Sequence, residues 1–168
     1  LPGKPLLNAT GKYLVQHVYE RVCAARTLAG VVVATDDARI FEAVRSFGGH
    51  AMMTSSEHRS GTDRVAEAAR WLDADAFINV QGDEPEIEPE MIDAAARLLE
   101  DHRADIATLA VESADPARFL DPNCVKVVID RNGFALYFSR SPVPGSKDIA
   151  SRMRDPGFRF LVHVGLYG

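Results

Sequence analysis

The chain has 168 residues, a length that suits one domain with a sizeable core. Its composition, 46% hydrophobic and 26% charged, is ordinary for a globular protein, and a net charge of −5 excludes a general electrostatic attraction to nucleic acids or acidic membranes. No apolar stretch approaches the length of a membrane-spanning helix, so we expect neither a nucleic-acid nor a membrane partner.

The two ends and the cysteines suggest a cytoplasmic protein whose sequence is incomplete. Residue 1 is Leu rather than Met, and the last residues read as a strand with nothing after it, so we expect both termini to be missing. The first residues lack the shape of a signal peptide. Cys23 and Cys124 have no second ligand at metal-binding spacing, and we expect buried reduced thiols, with a disulfide as the alternative.

Apolar spacing in the first hundred residues predicts helices that alternate with strands. Residues three or four apart give each helix one apolar stripe, and short apolar runs give the strands, the first of them fully buried. Thr35 and Asp36 are expected to cap the second helix, and Gly48-Gly49 to end it. The predicted order is helix 13–25, strand 31–34, helix 36–47, strand 50–53, helix 60–72, strand 76–80 and helix 90–101. This alternation predicts an α/β fold with a mixed, mainly parallel sheet flanked by helices.

The pattern changes after residue 104, where extended runs predominate. They cover residues 105–111, 125–129, 135–138 and 160–167. Asp130-Arg131-Asn132-Gly133 predicts a hairpin with a type I′ turn, and 141–158 predicts a loop or short excursion. The second half is therefore expected to be strand-rich and partly antiparallel.

The segment Val80-Gln81-Gly82-Asp83-Glu84-Pro85 follows the apolar run 76–80. A carboxylate at the carboxyl end of a buried strand lies where open α/β sheets bind ligands. Asp83 is therefore a candidate ligand for a hard cation such as Mg²⁺, which often bridges to phosphates. The alternative is that Gly82-Asp83 forms an ordinary turn.

Three further features have residue types that suit a nucleotide. Lys4 beside Gly3 can approach a polyphosphate as a compact charge, although no Walker A or GxGxxG pattern is present. The helix start Ser60-Gly61-Thr62 exposes N–H groups that can hold an anion or a base edge, and the amide of Gln81 can pair with cytosine. The alternatives are a solvated lysine, a plain helix cap and a polar strand end.

The second half contains three further candidate ligand contacts. Arg140 follows the run 135–138, and a guanidinium can hold a carboxylate or phosphate with two hydrogen bonds. His163 and Tyr167 are four residues apart on a predicted strand, so their side chains are expected on the same face. A surface arginine and a packed histidine are the alternatives.

Six segments, in order along essentially the whole chain, resemble the CMP-KDO synthetases (3-deoxy-manno-octulosonate cytidylyltransferases). The segments are Leu1-Pro2-Gly3-Lys4-Pro5-Leu6, Ser60-Gly61-Thr62-Asp63-Arg64, Val80-Gln81-Gly82-Asp83-Glu84-Pro85, Asn123-Cys124-Val125-Lys126-Val127-Val128, Ala135-Leu136-Tyr137-Phe138-Ser139-Arg140 and His163-Val164-Gly165-Leu166-Tyr167-Gly168.

The resemblance implies a Rossmann-like nucleotide-diphospho-sugar transferase fold. It also implies an enzyme that transfers CMP from CTP to KDO (3-deoxy-D-manno-octulosonate), releasing pyrophosphate and supplying CMP-KDO for lipopolysaccharide synthesis. Mg²⁺ is the implied cofactor, and a homodimer formed through the strand-rich half is the implied assembly. In a single domain 1–168, residues 1–104 would bind the nucleotide and 105–168 would bind the sugar and dimerise.

Individual roles also follow from the resemblance. Lys4 and Asp83 are implied to be catalytic, with Asp83 holding the metal. Arg140, His163 and Tyr167 are implied to contact KDO. The residues implied to contact CTP are Lys4, Ser60, Gly61, Thr62, Arg64 and Gln81.

The second metal-binding aspartate of the family falls beyond Gly168, so we expect the 168-residue chain alone to be inactive or nearly so. Alternatives to this assignment are a cytidylyltransferase for another sugar acid, such as sialic acid, a metal-dependent glycosyltransferase, and a non-catalytic nucleotide-binding fragment.

Overall fold

The computed structural model describes residues 3–100 and 103–168. These residues form two compact units. The first contains the described residues up to Ala107 together with Leu166–Gly168, and the second is Thr108–Gly165. The assignment of nucleotide binding to 1–104 and of sugar binding to 105–168 stays a prediction.

The first unit alternates helices and strands. A short 3-10 helix, Lys4–Leu6, comes first. The elements that follow are α1 (Leu14–Cys23), β1 (Val33–Thr35), α2 (Ala38–Ser46), β2 (Ala51–Met53), α3 (Gly61–Ala69) and α4 (Pro89–Leu99). β1 and β2 pair in parallel, with Val33 opposite Ala51, so α2 is the helix of a βαβ unit.

The core of this unit comes from the apolar stripes of its helices. Each fully buried aliphatic side chain contributes about 1.5–3 kcal/mol to stability. α1 contacts α4, which explains why the buried positions of both helices recur every three or four residues. The buried side chains on α1, α2 and α4 include Val15, Val18, Val22, Ala43, Val44, Ile92 and Ala95.

Several predicted boundaries were wrong by a few residues. Asp37, rather than Thr35 or Asp36, caps α2, because its side chain accepts a hydrogen bond from the backbone N–H of Arg39. The end of α2 is as expected, with Gly48 at a φ of 83°. The predicted end of the last helix at Asp101 lies outside the described residues. The strand predicted at 31–34 begins at Val33 and is half-buried, not fully buried.

The predicted strand 76–80 is extended but forms a single bridge, between Asn79 and Tyr167. The backbone N–H of Asn79 donates to the carbonyl of Tyr167 over 2.7 Å. An apolar run indicates burial, but a strand also needs a partner in register, and apolar content carries no information about that partner. The run still ends at the Asp83 segment as predicted.

The second unit is strand-rich, as predicted. Its sheet has the order β3-β6-β4-β5, in which β4 pairs antiparallel with both β5 and β6. Phe119 and Phe160 lie at the centre of an aromatic core, with ring centroids 4.9 Å apart. The elements are β3 (Thr108–Ser113), α5 (Pro116–Leu120), β4 (Lys126–Ile129), β5 (Ala135–Ser139), α6 (Ile149–Met153) and β6 (Phe160–Tyr167), whose last residues belong to the first unit.

The hairpin between β4 and β5 is confirmed, but its turn differs from the prediction. The N–H of Gly133 donates to the carbonyl of Asp130, so Arg131 and Asn132 occupy the two central positions, which a type I′ turn would give to Asn-Gly. Gly133 is the fourth residue of the turn, with a φ of 88°. Asp130 supports the longer loop, because its carboxylate accepts from the N–H groups of Asn132 and Phe134.

The structure also bears on the two cysteines and on membrane-spanning helices. Cys23 and Cys124 are both free, but the expected burial is wrong for Cys23, which is exposed at the end of α1, and Cys124 is only partly buried. The stripe of α1 buries Val18 and Val22, and Cys23 lies one residue beyond it, on another face. Among helices built from the described residues, none has both the length and the apolarity needed to cross a bilayer.

Candidate active site

The structure brings Lys4 and Asp83 together from 79 residues apart in sequence. Lys4 begins the short 3-10 helix after Gly3, whose φ of 79° favours glycine. Asp83 lies in a turn in which the N–H of Glu84 donates to the carbonyl of Gln81. The Lys4 Nζ lies 2.7 Å from Asp83 Oδ2, and both side chains are 43% exposed.

This ion pair is available to a ligand. An exposed pair of this kind is worth about 0–1 kcal/mol, because water screens it and both side chains lose freedom. A ligand that carries charges of both signs can therefore compete with this weak attraction and separate the two side chains. The two residues predicted to act on opposite charges of one ligand are therefore adjacent.

The predicted helix cap at Ser60 is confirmed. Ser60 Oγ accepts from the N–H of Asp63 over 3.1 Å and donates to the carboxylate of Asp63 over 2.7 Å. α3 begins at Gly61, and Ser60, Gly61 and Thr62 are all exposed. The first turn of α3 therefore offers backbone N–H groups at the surface, where a polar ligand can reach them.

Gln81 lies against this same helix start. A Cβ atom added to Gly61 would lie 3.3 Å from Gln81 Nε2 and 3.5 Å from its Oε1. The amide is oriented by Asn79, because Gln81 Nε2 donates to Asn79 Oδ1 over 3.3 Å. Since Asn79 is buried and bridged to Tyr167, a fixed backbone element sets the position of the Gln81 amide.

Arg64, predicted to contact CTP, mainly braces the loops around α3. Its Nη1 donates to Thr54 Oγ1 over 2.6 Å and to the carbonyl of Ser55, and its Nη2 lies 3.1 Å from Asp36 Oδ2. The side chain is only 18% exposed. Direct contact of Arg64 with the nucleotide stays a prediction, while its contacts to the ends of β1 and β2 are part of the structure.

Glu67 is a residue of this region that the sequence did not indicate. It accepts from the N–H of Ser55 and contacts His58 Nε2, so it holds the loop before α3 against the helix. The hydrogen bond from Ser55 and the neighbouring His58 lower the pKa of Glu67. Its position three residues after Arg64 puts both on one side of α3, a helical spacing that gives a weak signal in hindsight.

In the second unit, Arg140 is exposed just after β5 and donates to the carbonyl of Pro122 over 2.9 Å. His163, in the middle of β6, has its Nε2 2.8 Å from Thr108 Oγ1 and its ring 5.0 Å from that of Phe138. Burial lowers the pKa of His163 from its ordinary value, so the neutral imidazole predominates at pH 7.

Tyr167 belongs to the first unit, where it is 42% exposed and pairs through its backbone with Asn79. The predicted contacts of Arg140, His163 and Tyr167 with a sugar acid stay predictions.

No group of three or more His, Cys, Asp or Glu side chains that would suit a metal ion occurs within residues 3–100 and 103–168. Asp83 is an exposed carboxylate that can supply one oxygen ligand. Magnesium in proteins is commonly held by one or two carboxylates together with substrate phosphates. The residues present therefore fit Mg²⁺ when a nucleotide supplies the remaining oxygen atoms.

The first unit contains a lysine–carboxylate pair, and it also contains a helix start and an amide that suit a base. A nucleotidyltransferase is expected to combine these features. The family described as Cytidylyltransferase matches residues 1–168. The chain belongs to this family of enzymes, among the 3-deoxy-manno-octulosonate cytidylyltransferases, also called CMP-KDO synthetases.

Individual relatives agree along almost the whole chain. Proteins named 3-deoxy-manno-octulosonate cytidylyltransferase from Geobacter metallireducens and Thermodesulfovibrio yellowstonii are 53% and 46% identical over 99% of this chain, which covers 68% and 69% of their lengths. A solved structure of CMP:2-keto-3-deoxy-manno-octonic acid synthetase complexed with CTP superposes with a TM-score of 0.89 at 45% identity, covering 99% of this chain and 67% of that one. The predicted family and α/β fold are confirmed.

Proposed function

We propose that this protein transfers CMP from CTP to KDO, giving CMP-KDO and pyrophosphate. The observation that carries this proposal is the pairing of Lys4 with Asp83 in the unit that also places Gln81 against Gly61 at the start of α3. The similarity to proteins named for this reaction, one of them solved with CTP, supports the choice of nucleotide and acceptor.

The first unit supplies the contacts to CTP. The exposed N–H groups at Ser60-Gly61-Thr62 and the Gln81 amide offer donors and an acceptor, which match the edge of a cytosine ring. Arg64 and Glu67 keep the loop around residues 54–58 in place behind this surface. Lys4 offsets the negative charge of the phosphates once it leaves Asp83.

Asp83 would hold Mg²⁺ together with phosphate oxygens, and the bound ion would neutralise charge on the triphosphate and raise the acidity of the attacking hydroxyl. The chain's contribution to the reaction is mainly position and charge, as is usual for phosphoryl-type transfer. The anomeric oxygen of KDO forms a bond to the α-phosphorus and loses its proton to water. The bond from that phosphorus to the bridging oxygen breaks, and pyrophosphate leaves with the electron pair.

Arg140, His163 and Tyr167 are proposed to contact KDO. The exposed guanidinium of Arg140 suits the carboxylate of the sugar acid, since a planar fork can donate two parallel hydrogen bonds. Neutral His163 and the phenol of Tyr167 suit sugar hydroxyls, because both can donate or accept. The product would supply KDO for lipopolysaccharide synthesis.

We further propose a homodimer formed through β5. This strand lies at the edge of the second unit's sheet and exposes large apolar side chains, which normally mark an interaction surface. Strands β4 and β6 of the same half are partly core, since Val127, Phe160 and Val162 are buried. The exposed residues on and beside β5 are Ile129, Phe134, Leu136, Tyr137 and Phe138.

A cytoplasmic location also belongs to this proposal. The two free thiols suit a reducing compartment, where disulfides are rare.

The decisive experiment measures pyrophosphate release from CTP with Mg²⁺ and either KDO, sialic acid or no acceptor. It is run on this chain and on a version extended with the segments of the Geobacter metallireducens relative that the chain does not cover, while calorimetry measures CTP binding by both. We expect release that depends on KDO from the extended version. Release with sialic acid alone would identify a different sugar-acid cytidylyltransferase, and CTP binding without release from either version would identify a non-catalytic nucleotide-binding protein.

Asp83→Asn in the extended version tests the proposed metal ligand. We expect a loss of turnover of roughly 100-fold or more, because the variant loses the charge that holds the cation. Glu84→Gln is the matched control, since it removes the neighbouring exposed carboxylate, and we expect it to keep turnover within about twofold. Equal loss in both variants would argue against a specific role of Asp83.

A further inference from the structure

Lys126 is a fully buried lysine that the proposed mechanism does not use. It belongs to the segment Asn123-Cys124-Val125-Lys126-Val127-Val128 and begins β4, and none of its surface is exposed. Its Nζ donates to the carbonyl of Asp121 over 2.9 Å, to that of Cys124 over 2.6 Å and to that of Arg140 over 2.8 Å.

These contacts account for the whole hydrogen-bonding capacity of the side chain. An ammonium group has three N–H donors, and three carbonyls accept them, so Lys126 has no donor left for a substrate. Taking an ammonium group out of water is costly unless its bonds are replaced. The chain keeps this costly group where it joins backbone segments, which indicates that its role is to hold them.

Lys126 joins the loop between α5 and β4 to the end of β5, where Arg140 lies. Two of the carbonyls belong to the loop between α5 and β4, and the third belongs to Arg140 itself, the residue after β5. The Arg140 guanidinium in turn donates to the carbonyl of Pro122, in the same loop. The backbone of Arg140 is therefore tied to the loop through Lys126, and its side chain is tied to the loop directly.

Removing the ammonium group of Lys126 would weaken both the backbone contact and the side-chain contact of Arg140 with the loop. Lys126 pairs with Ser139 in the antiparallel register of β4 and β5, so the restraint acts at the end of the ladder, where strands fray first. Without it, the carbonyls of Asp121, Cys124 and Arg140 would turn toward water. The loop would then no longer present the Pro122 carbonyl in a constant place to the guanidinium.

We infer that Lys126 is a positioning residue, which orients Arg140 for the carboxylate of the sugar acid by fixing the loop at residues 121–124 against the end of β5. This inference rests on the proposed role of Arg140 in KDO binding. It assigns Lys126 an action through Arg140 and no contact with the substrate. In this arrangement the exposed guanidinium of Arg140, just after β5, is held in a fixed position.

The test titrates KDO into this chain by NMR, with Lys126→Met, Arg140→Ala and the double variant. We expect each single variant to bind KDO roughly tenfold more weakly, as for the loss of one charge-assisted contact. Because both changes remove the same contact, we expect the double variant to bind no more weakly than Arg140→Ala. Lys147→Met, which removes an exposed lysine of the same unit, is the control and should keep the parent affinity.

A second variant covers the case in which Lys126→Met does not fold. Pro122→Gly keeps Lys126 and all its carbonyl partners but loosens the loop at an exposed position, so we expect a several-fold loss of KDO affinity in a folded protein. We also expect ¹⁵N relaxation of the Arg140 Nε–Hε group to show a more mobile side chain in both variants. A merely structural role of Lys126 would lower the melting temperature without these changes.

The outcomes separate the inference from the function on which it rests. Unchanged KDO affinity in folded Lys126→Met or in Pro122→Gly, or losses from Lys126→Met and Arg140→Ala that multiply in the double variant, would overturn the positioning role. Failure of the parent to bind KDO, or unchanged affinity in Arg140→Ala, would instead overturn the assignment of Arg140 to the sugar-acid site. In that case the Arg140 relaxation still reports whether Lys126 restrains the side chain.

Discussion

The Lys4–Asp83 ion pair belongs to the proposed site and adds little to the stability of the fold. Both groups are 43% exposed, so water already screens the attraction between them. The pair nonetheless holds two opposite charges at the surface, where a ligand can separate them. The roles proposed for Lys4 and Asp83 require that separation, which a buried pair would not allow.

Gly61→Ala tests the contact between α3 and Gln81. The new methyl group would lie 3.3 Å from Gln81 Nε2, so the amide must move a few tenths of an ångström away from its bond with Asn79. We expect CTP to bind about two- to tenfold more weakly, measured by calorimetry, with no fall in melting temperature because Ala favours helix more than Gly. Gly30→Ala, where the added methyl group meets open space, is the control and should leave CTP binding unchanged.

His163 makes the stability of the protein depend on pH. Burial lowers its folded-state pKa below the ordinary value of 6.5, so the unfolded chain binds more protons than the folded one in this range. The contribution of neutral His163 is therefore fully present above pH 6.5 and is lost as the pH falls through the folded-state pKa. We expect urea unfolding between pH 7.5 and 5 to show a smaller loss of stability in His163→Gln than in the parent.

The control for this measurement is His50→Gln, which removes an exposed imidazole. We expect the pH dependence of its unfolding to follow the parent. The same dependence of stability on pH in the parent and in His163→Gln would show that other groups cause the loss of stability at low pH.

At the scale of elements, helices were easier to predict than strand partners. The capping pattern at Ser60 and Asp63 is local, and the structure contains it at the predicted residues. The run 76–80 is extended as expected but pairs only at Asn79, because pairing depends on a segment almost ninety residues away. The hairpin turn differed from the predicted type I′ turn for a related reason. The Asp130 side chain supports a longer loop, and the alternation of apolar residues carries no information about that contact.

The exposed edge strand β5 leads to a prediction about assembly. Leu136 is 65% exposed and Tyr137 is 61% exposed, so a second copy of the chain can cover apolar surface there. We expect Leu136→Lys to convert a dimer to a monomer in sedimentation velocity, since a buried unpaired charge opposes association. Leu7→Lys, at a side chain 58% exposed in the first unit, is the control and should remain dimeric.

A monomeric parent chain in that experiment would contradict the proposed interface. Unchanged dimerisation in Leu136→Lys would place the interface elsewhere.

At the scale of the whole molecule, the two compact units divide the predicted site residues unequally. All the residues assigned to CTP lie in the first unit, together with Tyr167, while Arg140 and His163 lie in the second. We expect CTP with Mg²⁺ to slow hydrogen exchange most around residues 60–64 and 81–84. At about 100 times the dissociation constant, the ligand should stabilise the unit that binds it by roughly 2.7 kcal/mol.

Hydrogen exchange measured by mass spectrometry checks this expectation, and UTP at the same concentration is the control for base recognition. Protection confined to residues outside both segments would place the nucleotide at another site. Equal protection by UTP would show that the phosphates alone are bound.

Most of the helices of the first unit and the family could be predicted from the sequence, because apolar periodicity, capping residues and ordered motifs are local or linear properties that a chain carries without folding. The cap of α2 and the short helices α5 and α6 were not predicted correctly. Folding alone brings Lys4 to Asp83, Gln81 to Gly61 and Arg64 to Asp36, and it encloses Lys126 among three carbonyls, one of them from Arg140. Each of these contacts joins elements whose separation in sequence says nothing about their distance in space. Packing of the helices and pairing of the strands set that distance, and with it the chemistry available to the site.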